Sequence, residues 1–168
     1  MTLSRERFID RREIEETIRR QFVLSLRSIH GPSHWKRVEE IGLRLAIDTG
    51  ADRDVITLFA LYHDSRRELE CDDPRHGERG ALLALEHRGK LFDLDDASFE
   101  KLYVACVEHT DGHLSEDPTI GACWDADRLD LSRLGIKPRV ESLSTGPARD
   151  PAMVAWAWEL SNDARRFS

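Results

Sequence analysis

The chain carries seven histidines, at positions 30, 34, 63, 76, 87, 109 and 113, and one is followed directly by aspartate, His63-Asp64. With 17 Asp among 168 residues, one such dipeptide is close to what chance supplies. The pair therefore gains meaning only from its spacing to other ligand-type side chains. Imidazole and carboxylate together favour Mn, Fe, Co, Ni or Zn over Ca, with Mg a poorer match, and no thiolate stands in position to select otherwise. Such an ion lowers the pKa of a bound water toward neutrality and polarises a substrate oxygen, so metal-assisted hydrolysis is a chemistry to expect.

The spacing supports convergence. His34 opens one helical segment and His63 closes the next, with the turn Asp48-Thr49-Gly50-Ala51-Asp52 nearly midway between them. In an antiparallel hairpin each histidine then lies about 14 residues from the turn, roughly 21 Å along its own helix, so both reach the same end. Asp64, about 100° further around the last turn, offers an oxygen from an adjacent direction. Asp127, within Asp125-Ala126-Asp127-Arg128-Leu129, can complete the shell from another helix.

The elements that must position these groups all read as helices. Ile14, Ile18, Phe22 and Leu26 recur every fourth position, and Val38, Ile41 and Leu45 recur at mixed three and four spacing. Val55 to Tyr62 is apolar on nearly every side, which predicts a helix surrounded by others. Further helices are expected from about His76 to His87, from about Ala97 to His109, and around Ile120, Trp124 and Leu129. Asp150-Pro151 is a capping signal for a last helix with Met153, Trp156 and Leu160. No stretch alternates at period two. Breaks are expected at 30–33, 48–52, 70–75, 87–96, 110–118 and 136–150, and no repeat or linker divides the chain. The expected fold class is all-α, one helical bundle over residues 1–168.

A His, then a His-Asp pair, then a later Asp on helices in this order resembles the HD-domain superfamily of metal-dependent phosphohydrolases, over roughly residues 33–130. The resemblance assigns metal ligation to His34, His63, Asp64 and Asp127, with Asp125 the second choice for the last position. His76-Gly77-Glu78-Arg79-Gly80-Ala81 looks like the helix start that supplies a second ion in binuclear members, and Glu108-His109-Thr110-Asp111-Gly112-His113 resembles their later histidine segment. His76 and His109 would then join the ligand set and Asp64 would bridge, for one or two divalent transition ions in all. The implied activity is hydrolysis of a phosphomonoester or phosphodiester, with a small, nucleotide-like phosphorylated substrate. Two further readings use the same residues: a diiron oxygenase, and a non-catalytic sensor or structural module in which the metal ties helices together.

Several guanidinium groups lie beside the ligands. Arg66 and Arg67 follow the His-Asp pair, Arg75 and Arg79 flank His76, and Arg128 follows Asp127, so a local phosphate site is expected. One position departs from the resemblance. Where well-studied nucleotidase and guanosine-tetraphosphate hydrolase branches carry a Glu three residues after the Asp of the pair, this chain has Arg67, and Glu68 comes one residue later. Proton transfer then falls to Glu68, Asp111, Glu108 or a bound water.

Plainer roles are expected for the remaining residues. His30 and His87 read as surface residues and His113 as a loop residue in solvent. Trp35 and the other tryptophans read as packing, and the charged first helix as a solvated face. Cys71, Cys106 and Cys123 are odd in number and widely spaced, which suggests neither a disulfide framework nor a CxxC zinc site; they read as small apolar residues. A formal net charge of -7 argues against general binding to nucleic acid or membrane surfaces. The charged opening MTLSRERFIDRREIEE lacks the apolar run of a secretory leader, so a cytoplasmic location is expected.

Overall fold

A computed structural model describes residues 6–163 and 165–166. The first five residues of the charged opening stretch lie outside the described residues. The architecture is all-α but for one two-stranded ribbon. In order the elements are β1 (Phe8–Ile9), α1 (Arg11–Gln21), α2 (Pro32–Thr49), α3 (Arg53–Tyr62), α4 (His76–His87), β2 (Phe92–Asp93), α5 (Asp96–Glu108), α6 (Pro118–Leu129), a 3-10 turn (Asp130–Leu134), a second one (Val140–Ser142), α7 (Gly146–Arg149) and α8 (Pro151–Asn162).

α3 is the axis of the bundle. Val55, Ile56, Leu58, Phe59, Ala60, Leu61 and Tyr62 are all buried, and the helix touches α1, α2, α4, α5 and α6. It starts where the Asp52 side chain accepts from the backbone N–H groups of Asp54 and Val55, which fills two of the donors a helix start leaves open. α2 reaches it through Gly50, whose φ of 69° is left-handed and whose N–H closes on the Ala46 carbonyl at 3.1 Å. Glycine is suited to that conformation because it has no Cβ to clash.

Two glycines set how closely α4 packs. A Cβ at Gly80 would stand 2.2 Å from the Tyr62 carbonyl oxygen, and one at Gly77 would stand 2.2 Å from that of Cys106. The start of α4 thus lies backbone to backbone against the end of α3 and against α5, an approach that any larger residue forbids. Asp95, Asp117 and Asp150 cap α5, α6 and α8 by accepting backbone N–H groups, the last as the Asp150-Pro151 pair promises.

The structure differs from the periodicity at three places. α1 ends at Gln21, and Phe22 turns extended to set its ring edge-on against Trp35, 5.2 Å between centroids. Leu26 is consequently outside the helix and exposed. The break at 87–96 contains β2, paired antiparallel with β1 through Phe8–Asp93 and Ile9–Phe92; two residues are too few to register as an alternating pattern. The break at 136–150 contains the second 3-10 turn and the four-residue α7.

Cys106 and Cys123 are buried in the core, whereas Cys71 is an exposed loop residue rather than a packed one. Trp35 packs in the core, and its Nε1–H donates to the His30 carbonyl at 2.8 Å. Among the described residues, no helix is long and apolar enough to cross a membrane.

Candidate metal centre

Four imidazoles and two carboxylates meet where α2, α3, α4, α5 and α6 converge. His34 stands in the first turn of α2, His63 caps the C-terminus of α3, and Asp64 lies in the turn just beyond. His76 begins α4, His109 caps α5, and Asp127 lies in the last turn of α6. Two groups able to hold a metal ion result: His34, His63 and Asp127, and beside them Asp64, His76 and His109.

Within each group the Nε2 atoms face one another, 3.0 Å apart for His34 and His63 and 2.9 Å apart for His76 and His109. One Asp64 oxygen, Oδ2, lies 3.5 Å from His34 Nε2 and 3.7 Å from His63 Nε2. Its other oxygen, Oδ1, lies 3.2 Å from His76 Nε2 and 3.7 Å from His109 Nε2. Asp127 Oδ1 sits 3.2 Å from His34 Nε2 and 3.7 Å from His63 Nε2. Ligand atoms bonded at about 2.1 Å to one ion stand about 3.0–3.5 Å apart in tetrahedral or octahedral arrangements, so these spacings suit a shared ion.

The opposite ring nitrogens explain which lone pairs face inward. His34 Nδ1 meets Asp130 Oδ2 at 2.6 Å, and His63 Nδ1 meets the carbonyls of Phe59 and Ala60 at 3.0 and 3.2 Å. His109 Nδ1 meets the Cys106 carbonyl at 2.7 Å, and His76 Nδ1 meets the Asp73 carbonyl. Carbonyl and carboxylate oxygens only accept, so Nδ1 of His34, His63 and His109 donates and their Nε2 lone pairs are left for a cation, whereas at His76 Arg67 NH1 also approaches Nδ1, at 2.9 Å. Two such lone pairs 3.0 Å apart repel until a proton or metal stands between them.

Electrostatics point the same way. Burial disfavours charge throughout, yet the surrounding imidazoles hold the carboxyls of Asp64 and Asp127 well below the usual carboxylate range. The neighbouring carboxylates conversely outweigh burial at His34 and His109 and raise them. At His63 burial wins, and its imidazole falls to about 3. The Asp127 side chain is 21% exposed, against 4% or less for the other five, so solvent reaches the cluster on that side.

The supporting residues include several that spacing does not single out. His30, expected at the surface, is buried, with Nδ1 2.9 Å from Asp64 Oδ2 and Nε2 3.1 Å from the Glu70 carbonyl. The loop before α2 folds inward because Trp35 pins its backbone. Its position four residues before His34 is the one sequence signal that could have found it. Asp130, fully buried, also accepts from Arg37 Nε at 2.7 Å and from Ser161 Oγ; it lies three residues after Asp127, the same-face spacing of a helix. Asp73 accepts the backbone N–H groups of Glu68 and Leu69 and pairs with Arg79, which orders the loop between His63 and His76. His87, also expected at the surface, is buried with Nδ1 2.9 Å from the Tyr62 hydroxyl.

The expected phosphate-binding and proton-transfer residues are scattered. Arg67 is buried, with NH1 2.9 Å from His76 Nδ1 and NH2 donating to the Cys71 carbonyl, and its Nε has no partner among the described residues. Arg128 donates to the carbonyls of Ser142 and His113, tying two loops together. Arg75 is exposed and pairs with Glu78, and Arg79 pairs with Asp73. Arg66, Glu68 and Arg79 line a groove of about 250 Å³ with Leu82, Leu83 and Glu86. Glu68, Asp111 and His113 are exposed, and Glu108 is half-buried. Asp125 faces away from the cluster and accepts from the backbone N–H groups of Ser144 and Thr145 and from the Thr145 hydroxyl. Comparison with family models, curated proteins and solved structures returns no match for this chain.

Proposed function

We propose that this protein is a metal-dependent phosphohydrolase of the HD type, acting on a small phosphomonoester or phosphodiester with a nucleotide-like body. The observation that carries the reading is the convergence of four Nε2 atoms on the two oxygens of Asp64, with Asp127 beside them at the open side. His34, His63 and Asp127 would hold one divalent ion and His76 and His109 a second, with an Asp64 oxygen turned toward each. Such ions, chosen from Mn, Fe, Co, Ni or Zn, supply a Lewis acid and a more acidic water.

The chain's own residues supply the rest. His30 fixes the Asp64 carboxylate from outside the cluster, so its oxygens stay turned to the two pairs. Asp73 ties the 63–76 loop and keeps His76 facing His109. Arg66 would offer a guanidinium to phosphate from the groove it lines, while Arg79 beside it is held by Asp73. The partly exposed edge at Asp127 is where a substrate gains access. We place the activity in the cytoplasm, where the three free cysteines remain reduced.

The test is metal analysis of the purified protein, followed by phosphatase and phosphodiesterase panels with Mn, Co, Ni, Zn and Mg. Metal-stimulated phosphate release is expected. Loaded protein that is inert across both panels overturns the reading. Iron with redox-sensitive absorption and oxygen uptake would replace it with an oxygenase, and a melting point lowered by chelation with no turnover would replace it with a structural module.

A further inference from the structure

The two histidine pairs look alike in distance but differ in what stands behind them. Behind His34 is a buried carboxylate, Asp130, held by Arg37 and Ser161. Behind His63 are two backbone carbonyls. Neither Nδ1 meets a donor, so no pair of neutral rings lets one Nε2 donate to the other while both outer bonds are kept. The first pair can relieve its facing lone pairs only by taking up a cation.

At His76 the outer nitrogen is contested. The Asp73 carbonyl, at 2.5 Å, calls for a proton on Nδ1, while Arg67 NH1, at 2.9 Å, calls for a lone pair there. One nitrogen cannot satisfy both. In the tautomer that accepts from Arg67, the proton sits on Nε2 and is donated to His109 Nε2 at 2.9 Å; His109 in turn donates from Nδ1 to the Cys106 carbonyl. That arrangement pairs the rings with no ion present. To ligate, His76 must carry its proton on Nδ1 and give up the Arg67 bond. Arg67 is also a buried cation that no carboxylate pairs with among the described residues, so its charge opposes a second cation nearby.

We propose that the two sites fill in order, His34–His63–Asp127 first, and that Arg67 holds back the ion at Asp64–His76–His109 by stabilising the Nε2–H tautomer of His76. This rests on the metal-dependent reading above. Arg67 acts through His76 and is a positioning residue. It makes the second site the exchangeable one, which the first site, backed by Asp130, is not.

The experiment is calorimetric titration of metal-free protein with Mn²⁺ at fixed pH, with ring ¹⁵N spectra of the metal-free form. Wild type is expected to show two steps at least tenfold apart in affinity, and His76 protonated on Nε2. Arg67→Met should tighten the second step about tenfold and leave the first within twofold, and Asp130→Asn should weaken the first about tenfold or more, the size of outer-shell effects on metal sites. Should Arg67→Met fail to fold by circular dichroism, Arg67→Lys should shift the second step in the same direction by less, and the wild-type spectrum decides the tautomer without any variant. One step of two equal ions, His76 protonated on Nδ1, or an Arg67 variant that weakens the second step overturns the proposal. Two ordered steps with an inert phosphoester panel would sink the hydrolase reading and leave this one standing. Hydrolysis with two equal ions would do the reverse, and no Mn²⁺ uptake would end both.

Discussion

The α2–α6 side of the centre and the α4–α5 side solve the same problem with different materials. On the first side a side chain holds His34: Asp130 braces it and is itself braced by Arg37 and by Ser161 from α8, while backbone carbonyls hold His63. On the second, backbone does more of it: Gly77 and Gly80 let α4 lie against the carbonyls of Cys106 and Tyr62, and the outer nitrogens of the histidines face carbonyls at Cys106 and Asp73. The side chains behind the histidines, Asp130 on the first side and Arg67 on the second, can be retuned one at a time, whereas close backbone contact fails when the helices are forced apart.

The largest expected effect removes what the two sides share. Asp64→Ala deletes the carboxylate between the pairs, and metal content and phosphate release should fall together by about 10²-fold or more; full turnover in that variant would exclude the mechanism. Next in size is the backbone-braced side. Gly80→Ala puts a Cβ 2.2 Å from the Tyr62 carbonyl oxygen, and urea unfolding should show a loss of about 3 kcal/mol. Gly146→Ala, with nothing within 4 Å of the added Cβ, is the control and should stay within about 0.5 kcal/mol.

Stripping metal sharpens the comparison without a mutation. Protein equilibrated with ion at a hundredfold excess over Kd should lose about 2.7 kcal/mol on chelation. Amide exchange should accelerate more at the starts of α2 and α4 than in α8. An unchanged melting curve would mean the helices hold the cluster unaided.

The smallest effect concerns His87, outside the cluster, where burial lowers the imidazole. The unfolded chain then takes up a proton below about pH 6.5 that the folded chain resists. Stability should therefore fall as pH drops through that range, by at most about 1.4 kcal/mol per pH unit for this one group. His87→Gln should flatten the profile between pH 7 and pH 5 relative to wild type, and identical slopes would rule the contribution out.

Residue spacing made much of this legible. The hairpin centred on Gly50 follows from His34, His63 and the turn between them, and the apolar run at 55–62 announces the central helix. Spacing left the choice of Asp125 or Asp127 open. The two are about 200° apart on α6, so only one can face the histidines, and the packing of α6 selects Asp127 while Asp125 anchors the 144–145 backbone. The arginines were the least legible. Five of them flank the ligands in sequence, yet Arg67 turns inward to His76 and Arg128 turns to loop carbonyls. Arg66 and Arg67 stand on a loop, which has no period to reveal their direction, and the Arg128 side chain is long enough to reach loop carbonyls from its place on α6.

By itself the sequence determined the main helices, the cap of the last one and the residue types able to hold a cation, because local spacing and backbone donors act over a few residues. The tertiary structure alone decided which nitrogen of each imidazole faces inward. That choice belongs to partners far along the chain, such as Asp130 for His34, or to carbonyls whose direction is set only once the helices have packed.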